Sequence, residues 1–190
     1  MLPRELWQEG VLRLGVGDRW IALEQLDRAH RLGAADDLSQ QLLLEQHRHP
    51  RNFESLLNQA ADNEQLDPDL LFGLARQESR LTPTVRSSAG ALGLLQLLPS
   101  TAAELEEPAP SEEELLQPER NALLGARYLK DMLSAADGNP FLATASYNAG
   151  PGAAGSWRND DLDAIPELWV EAIPYPETRI YVKKVLGNSW

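Results

Sequence analysis

Apolar residues recur along this chain at offsets of three and four, the period of an amphipathic helix. In the first fifty residues this pattern predicts three short helices. Glu5 to Leu14 carries Leu6, Leu12 and Leu14, and Trp20 to Leu32 carries Ile21, Leu23, Leu26 and Ala29. A third runs from about Asp36 to Gln46. Gly15-Val16-Gly17-Asp18 breaks the first, Asp18 is placed to cap the second, and Gly33 to end it. His47-Arg48-His49-Pro50 is a polar break. Beyond it the stripe Phe53, Leu56, Leu57, Ala60 predicts another helix. Asp67-Pro68 then starts one as cap and first residue, and Pro83 bounds it. Pro99-Ser100-Thr101 opens a short helix, and the acidic stretch from Glu106 to Glu114 reads as a solvated loop plus one turn. A long helix from Pro118 bears Ala122, Ala126, Leu129 and Leu133. Asn139-Pro140 starts another, with Phe141, Ala145 and Tyr147, which Gly150-Pro151-Gly152 is expected to stop. Pro174-Tyr175-Pro176 divides two final helical stretches. No segment sustains strand alternation, so the expected class is all-α: a helical appendage over residues 1–49 and a larger domain over 50–190.

Composition sharpens this only in part. The 190 residues are 43% hydrophobic and 24% charged, which is ordinary for a globular chain. The formal charge of −12 argues against a nucleic-acid partner, which needs clustered Lys and Arg, and against anionic lipid. With no cysteine there is neither a disulfide nor a thiolate metal site. His30, His47 and His49 all fall in the appendage without a spacing that would seat a metal. The opening residues lack a signal-peptide core, and no stretch is long enough to cross a bilayer.

The residue that changes the picture is Glu78. On a helix it shares a face with Leu71, Leu74 and Ala75, so a carboxyl points with the apolar stripe. Two outcomes are open. The side chain can swing out to water or pair with an arginine. It can also stay inside, where burial raises its pKa and leaves a proton available near neutral pH.

Four segments stand out together, its own included: Glu78-Ser79; Gly93-Leu94-Leu95-Gln96; Ser146 to Gly152, reading Ser-Tyr-Asn-Ala-Gly-Pro-Gly; and Glu171-Ala172-Ile173-Pro174 followed by Glu177-Thr178-Arg179-Ile180-Tyr181-Val182. Their order and spacing over roughly residues 50–187 resemble the soluble lytic transglycosylases of bacterial cell walls, whose catalytic domain is lysozyme-like. The first 49 residues are similar to the last helices of the ring of helices found in one branch of that family. The resemblance implies a piece of a longer, exported protein that works in the periplasm on peptidoglycan glycan strands.

By the same resemblance Glu78 is the catalytic acid and base, and Ser79 orients it or caps the helix end. Ser87 lines the floor near the acid or forms a turn. Gln96 contacts sugar or binds loop backbone. Tyr147 brings its hydroxyl to the sugar or the acid, or is a core aromatic. Asn148 holds its loop. Glu171 is a second carboxylate in the groove, or pairs with Arg179. Leu95 and Leu98 stand where the family often has methionine, a change of flexibility more than of volume; Leu98 keeps a substrate-binding assignment.

The implied reaction cleaves the β-1,4 bond between N-acetylmuramic acid and N-acetylglucosamine without water, leaves a 1,6-anhydro end and needs neither metal nor organic cofactor. The alternatives are a lysozyme-type hydrolase, which in its inverting form needs a second carboxylate about 6.5–9.5 Å from the first, and a glycan-binding module without turnover.

Overall fold

The computed structural model describes residues 1–159, 161–162 and 165–189. Among them the chain forms twelve helices and no strand; two isolated bridges, Arg86 to Leu92 and Leu92 to Leu97, are the β-type pairings. The helices are α1 Pro3–Gly15, α2 Arg19–Arg31, α3 Leu38–Arg48, α4 Glu54–Glu64, α5 Pro68–Ser79, α6 Pro99–Leu105, α7 Glu112–Leu115, α8 Pro118–Ala135, α9 Pro140–Ala149, α10 Pro151–Gly155, α11 Pro166–Ala172 and α12 Pro176–Asn188. None is long and apolar enough to cross a membrane among the described residues.

Contacts divide the chain into two compact units. One is Met1–Phe53 with Arg80–Thr82; the other is Glu54–Ser79 with the chain from Pro83 onward. In the first, α1 lies against α2 so closely that a Cβ at Gly10 would fall 2.6 Å from Leu26 Cγ. Leu6, Leu23, Leu26, Ala29, Ala34 and Leu44 form its core. Gly33 ends α2 with φ +68°, as a left-handed terminator should. Asp18 precedes α2 but makes no cap hydrogen bond with its side chain, because that carboxylate takes the Arg13 guanidinium at 2.5 Å instead. The histidines are engaged locally: His47 Nδ1 accepts from the Trp7 indole at 3.1 Å, while His30 and His49 flank Glu45.

The second unit holds the motif residues. Asp67 accepts from the Asp69 amide at 2.9 Å and so caps α5. Leu71, Leu74 and Ala75 are fully buried along its inner face. α5 meets α12 at Gly73, where a Cβ would lie 2.7 Å from the Val185 carbonyl oxygen. Only a glycine allows that approach, and Arg76 secures it by donating to Asn188 Oδ1 at 3.0 Å. A second core gathers residues of α8 to α12, including Met132, Leu142, Ala145, Trp169 and Val182. A third packs Leu92, Leu97, Ala102, Leu115 and Leu124 under the loop before α6.

One local expectation changes. Gly150-Pro151-Gly152 does stop α9, with Gly150 at φ +86°, yet Pro151 is also the first residue of α10, since a proline at that position forgoes an amide no helix would use. The acidic stretch holds one short helix, α7, closed by a reciprocal cap between Ser111 and Glu114.

Candidate active site

Glu78 lies one residue from the end of α5, on the face that carries Leu71, Leu74 and Ala75. Its Oε1 accepts a hydrogen bond from the hydroxyl of Tyr181 on α12. The close crossing at Gly73 makes this possible: α5 runs on from Gly73 to Glu78 while α12 runs back from Val185 to Tyr181. Burial pushes the Glu78 carboxyl up from 4.5 to about 7, and the Tyr181 hydrogen bond pulls in the opposite direction without cancelling it. Glu78 therefore holds its proton to a far higher pH than an ordinary glutamate. Tyr181 and Tyr147 are both held well above the ordinary tyrosine range, first by burial and then by the nearby Glu78 charge, so both stay neutral donors.

Tyr147 stands close enough to feel Glu78, but its hydroxyl proton goes to the Leu95 carbonyl at 2.8 Å and not to the acid. The hydrogen bond expected of Tyr147 is made by Tyr181. Sequence reasoning included Tyr181 in a motif without giving it a role. The available signal was its place with Thr178, Val182 and Val185 on the buried face of α12, since a buried phenol needs a partner.

The remaining candidates divide. Ser79 is fully buried and donates back to the Ala75 carbonyl at 3.1 Å, a bond within its own helix. Ser87 builds a turn: its Oγ accepts from the Ala91 amide at 2.9 Å, and its own amide donates to the Ala91 carbonyl. Gln96, at φ +46°, donates through Nε2 to the carbonyls of Gly93 (2.8 Å) and Val85 (3.1 Å), which is the loop-binding outcome. Its Oε1 has no hydrogen-bond partner among the described residues. Leu98 is 39% exposed, whereas Leu95 is fully buried, so the substitution at 95 concerns internal packing and the one at 98 an exposed surface. Asn148 accepts from Thr178 at 2.7 Å and ties the end of α9 to α12.

Glu171 does not pair with Arg179. Arg179 donates to the Ile173 carbonyl at 2.7 and 3.1 Å, an acceptor left free at the end of α11. Glu171, with a side chain 58% exposed, takes Lys183 at 2.6 Å, and that ammonium holds its carboxyl below the ordinary value. Glu177 is the carboxylate that lines a cavity of about 380 Å³ with Asn148, Ala149, Tyr175 and Thr178. Glu177 opens the Glu177–Val182 stretch of the motif, but the resemblance gave the groove role to Glu171.

These residues fall within a known pattern. Residues 55–169 match the family model described as the Transglycosylase SLT domain. The chain belongs to this family. The soluble lytic murein transglycosylase of Escherichia coli K12 is 35% identical to this chain over 146 residues, 74% of this chain and 23% of that protein. An inactive mutant of the lytic transglycosylase Slt from Pseudomonas aeruginosa superposes with a TM-score of 0.86 at 34% identity, over all of this chain and 30% of that one. A 70-kDa soluble lytic transglycosylase solved with bulgecin A gives 0.79 at 26% identity, again over 30% of its length. The chain thus spans about a quarter to a third of these relatives. The SLT domain fold is the all-α, lysozyme-like one.

A prediction follows from the Tyr181 contact. In Tyr181→Phe the bond that lowers the Glu78 pKa is lost, so the alkaline limb of the pH–rate profile moves above its wild-type midpoint. The rate at its optimum falls by roughly tenfold as the acid loses its orientation. A profile that keeps its midpoint removes Tyr181 from the site.

Proposed function

We propose that this SLT domain cleaves the β-1,4 bond between N-acetylmuramic acid and N-acetylglucosamine in periplasmic peptidoglycan, as a lytic transglycosylase. The observation that carries the proposal is Glu78, one buried-side carboxyl with a pKa near 7 and a single neutral hydrogen-bond donor on it. Such a group suits both halves of the reaction. Protonated, it gives its proton to the bridging oxygen as the anomeric carbon of the muramyl ring gains positive charge. The acetamido oxygen of that ring stabilises the carbon. Ionised, Glu78 then takes the proton of the same ring's C6 hydroxyl, which attacks internally and closes the 1,6-anhydro bridge. Tyr181 remains the donor to Glu78 through both steps and favours its ionised form between them. An attacker on the same ring has an effective concentration of about 10⁵ M or more, enough to outrun water when the ring is held correctly. No second carboxylate is required, which agrees with Glu171 lying on the surface with Lys183.

The test is mass spectrometry of fragments released from purified peptidoglycan. Anhydro ends are expected. Reducing ends would assign a lysozyme-type hydrolase, and no release at all would leave a binding module. The groove assignments separate as well. Glu177→Gln, at the cavity beside Asn148, is expected to raise KM for soluble glycan fragments about three- to tenfold, whereas Glu171→Gln, an exposed ion-pair partner, leaves it within about twofold. The reverse ranking would return the role to Glu171.

A further inference from the structure

We propose that Asn121 is a positioning residue for glycan binding: with Tyr147 it clamps the Leu95 peptide from both sides and so fixes the loop that presents Gln96. This rests on the glycan-cleaving reading above. Asn121 lies in the first turn of α8 and is wholly buried, at 0% exposure. All of its side-chain hydrogen-bonding groups are used. Oδ1 accepts from the Leu95 amide at 2.7 Å, and Nδ2 donates to the carbonyls of Leu92 and Leu115, each at 2.8 Å. On the opposite edge of residue 95 the Tyr147 hydroxyl donates to the Leu95 carbonyl at 2.8 Å. The Leu95 side chain lies on bare α8 backbone, where a Cβ at Gly125 would come within 2.6 Å of Leu95 Cβ. Amide, carbonyl and side chain of one residue are therefore each held by a different group.

The loop needs this support because it is conformationally unusual. Gly93 at φ +80° and Gln96 at φ +46° bracket Leu94 and Leu95, and Leu92 and Leu97 exchange both backbone hydrogen bonds across the turn. A non-glycine residue in the left-handed region persists only where its surroundings enforce it. The clamp is that enforcement, and Gln96 is the next residue in the chain. Its Nε2 is spent on the loop, while its Oε1 is left without a protein partner for a sugar hydroxyl or amide to fill. The other jaw, Tyr147, is a neighbour of Glu78. The two jaws thus set the sugar-facing loop relative to the acid.

The experiment compares wild type, Asn121→Asp, Tyr147→Phe and the double variant. It reads KM, kcat and the pH midpoint on soluble peptidoglycan fragments, thermal stability, and hydrogen exchange of the Leu95 amide. Asn121→Asp keeps the acceptor and loses both donors. It is expected to raise KM about tenfold with kcat within about threefold, as does Tyr147→Phe more mildly. The double variant is expected to be no worse than the poorer single, because either loss already frees the loop. All keep the wild-type pH midpoint, since the Glu78 hydrogen bond comes from Tyr181. Should Asn121→Asp fail to fold, Tyr147→Phe must still raise KM and speed Leu95 exchange. Unchanged KM with only lowered thermal stability overturns the inference, as do singles whose effects multiply. If wild type releases nothing from peptidoglycan, the functional reading fails, while unaltered Leu95 exchange in Tyr147→Phe sinks the clamp by itself.

Discussion

Glu78→Gln is expected to lower fragment release from peptidoglycan by about 10³-fold or more, because both proton transfers pass through one carboxyl and each is worth about 10²–10⁴. The same substitution should stabilise the protein, and the pH dependence of that gain is the sharper result. The folded-state pKa of Glu78 lies above its ordinary value, 4.5 against about 7. The folded form therefore prefers the proton, so the group weighs least on stability below pH 4.5. Its penalty grows from there to about pH 7 and is constant above. A displacement of that size corresponds to roughly 3 kcal/mol, and because residue 78 is only partly shielded from solvent, screening reduces this to about 2 kcal/mol. Glutamine never ionises and can still accept from Tyr181. At pH 8 the variant should melt about 5 °C higher than wild type, with the gap closing near pH 4.5. Equal melting curves at pH 8 would mean that the carboxyl is solvated and unfit as an acid.

Gly93→Ala is the second large effect, and it falls on folding before activity. Gly93 has φ +80°, and a Cβ there would lie 2.6 Å from both Asn121 Cγ and the Leu115 carbonyl oxygen. Neither neighbour can retreat. Asn121 is bonded to Leu92, Leu95 and Leu115, and the Leu115 carbonyl is one of its acceptors. A left-handed non-glycine costs about 1–3 kcal/mol and overpacking about as much again. A loss of roughly 3 kcal/mol or more is expected, about a 10 °C fall in Tm. Gly90→Ala is the control. That glycine also has positive φ, +87°, but nothing lies within 4 Å of its Cβ position, so only the backbone part of the cost applies and the fall should be clearly smaller. Equal losses in the two variants would show that backbone conformation, not the Asn121 contact, governs position 93.

What the sequence disclosed, and what it hid, follows the range of the interactions involved. α5 was legible from its cap-and-proline start and its Leu71, Leu74, Ala75, Glu78 face, because capping and periodicity are local. The partner of Glu78 was not. Tyr181 is 103 residues away in sequence, brought in by the Gly73–Val185 approach, and two tyrosines were available for one carboxyl. For Glu171 the sequence named Arg179, and the structure pairs it with Lys183. The choice turned on the free Ile173 carbonyl at the end of α11, which captured the guanidinium. Asp18 illustrates the same competition over a shorter span, its carboxylate drawn from the cap by Arg13. Asn121 is not legible in the sequence, because a lone polar residue on an apolar stripe looks like a tolerated exception, and its partners lie in the Leu92–Leu95 loop and at the end of α7, which the periodicity of α8 does not describe.

The most direct measurement is a site-resolved titration of the Glu78 carboxyl by NMR of carbon-labelled glutamate, assigned by the signal missing in Glu78→Gln. A midpoint near 7, moving higher in Tyr181→Phe, is the expected result. A midpoint at the ordinary 4.5, unmoved by that substitution, would contradict a proton held by burial at position 78.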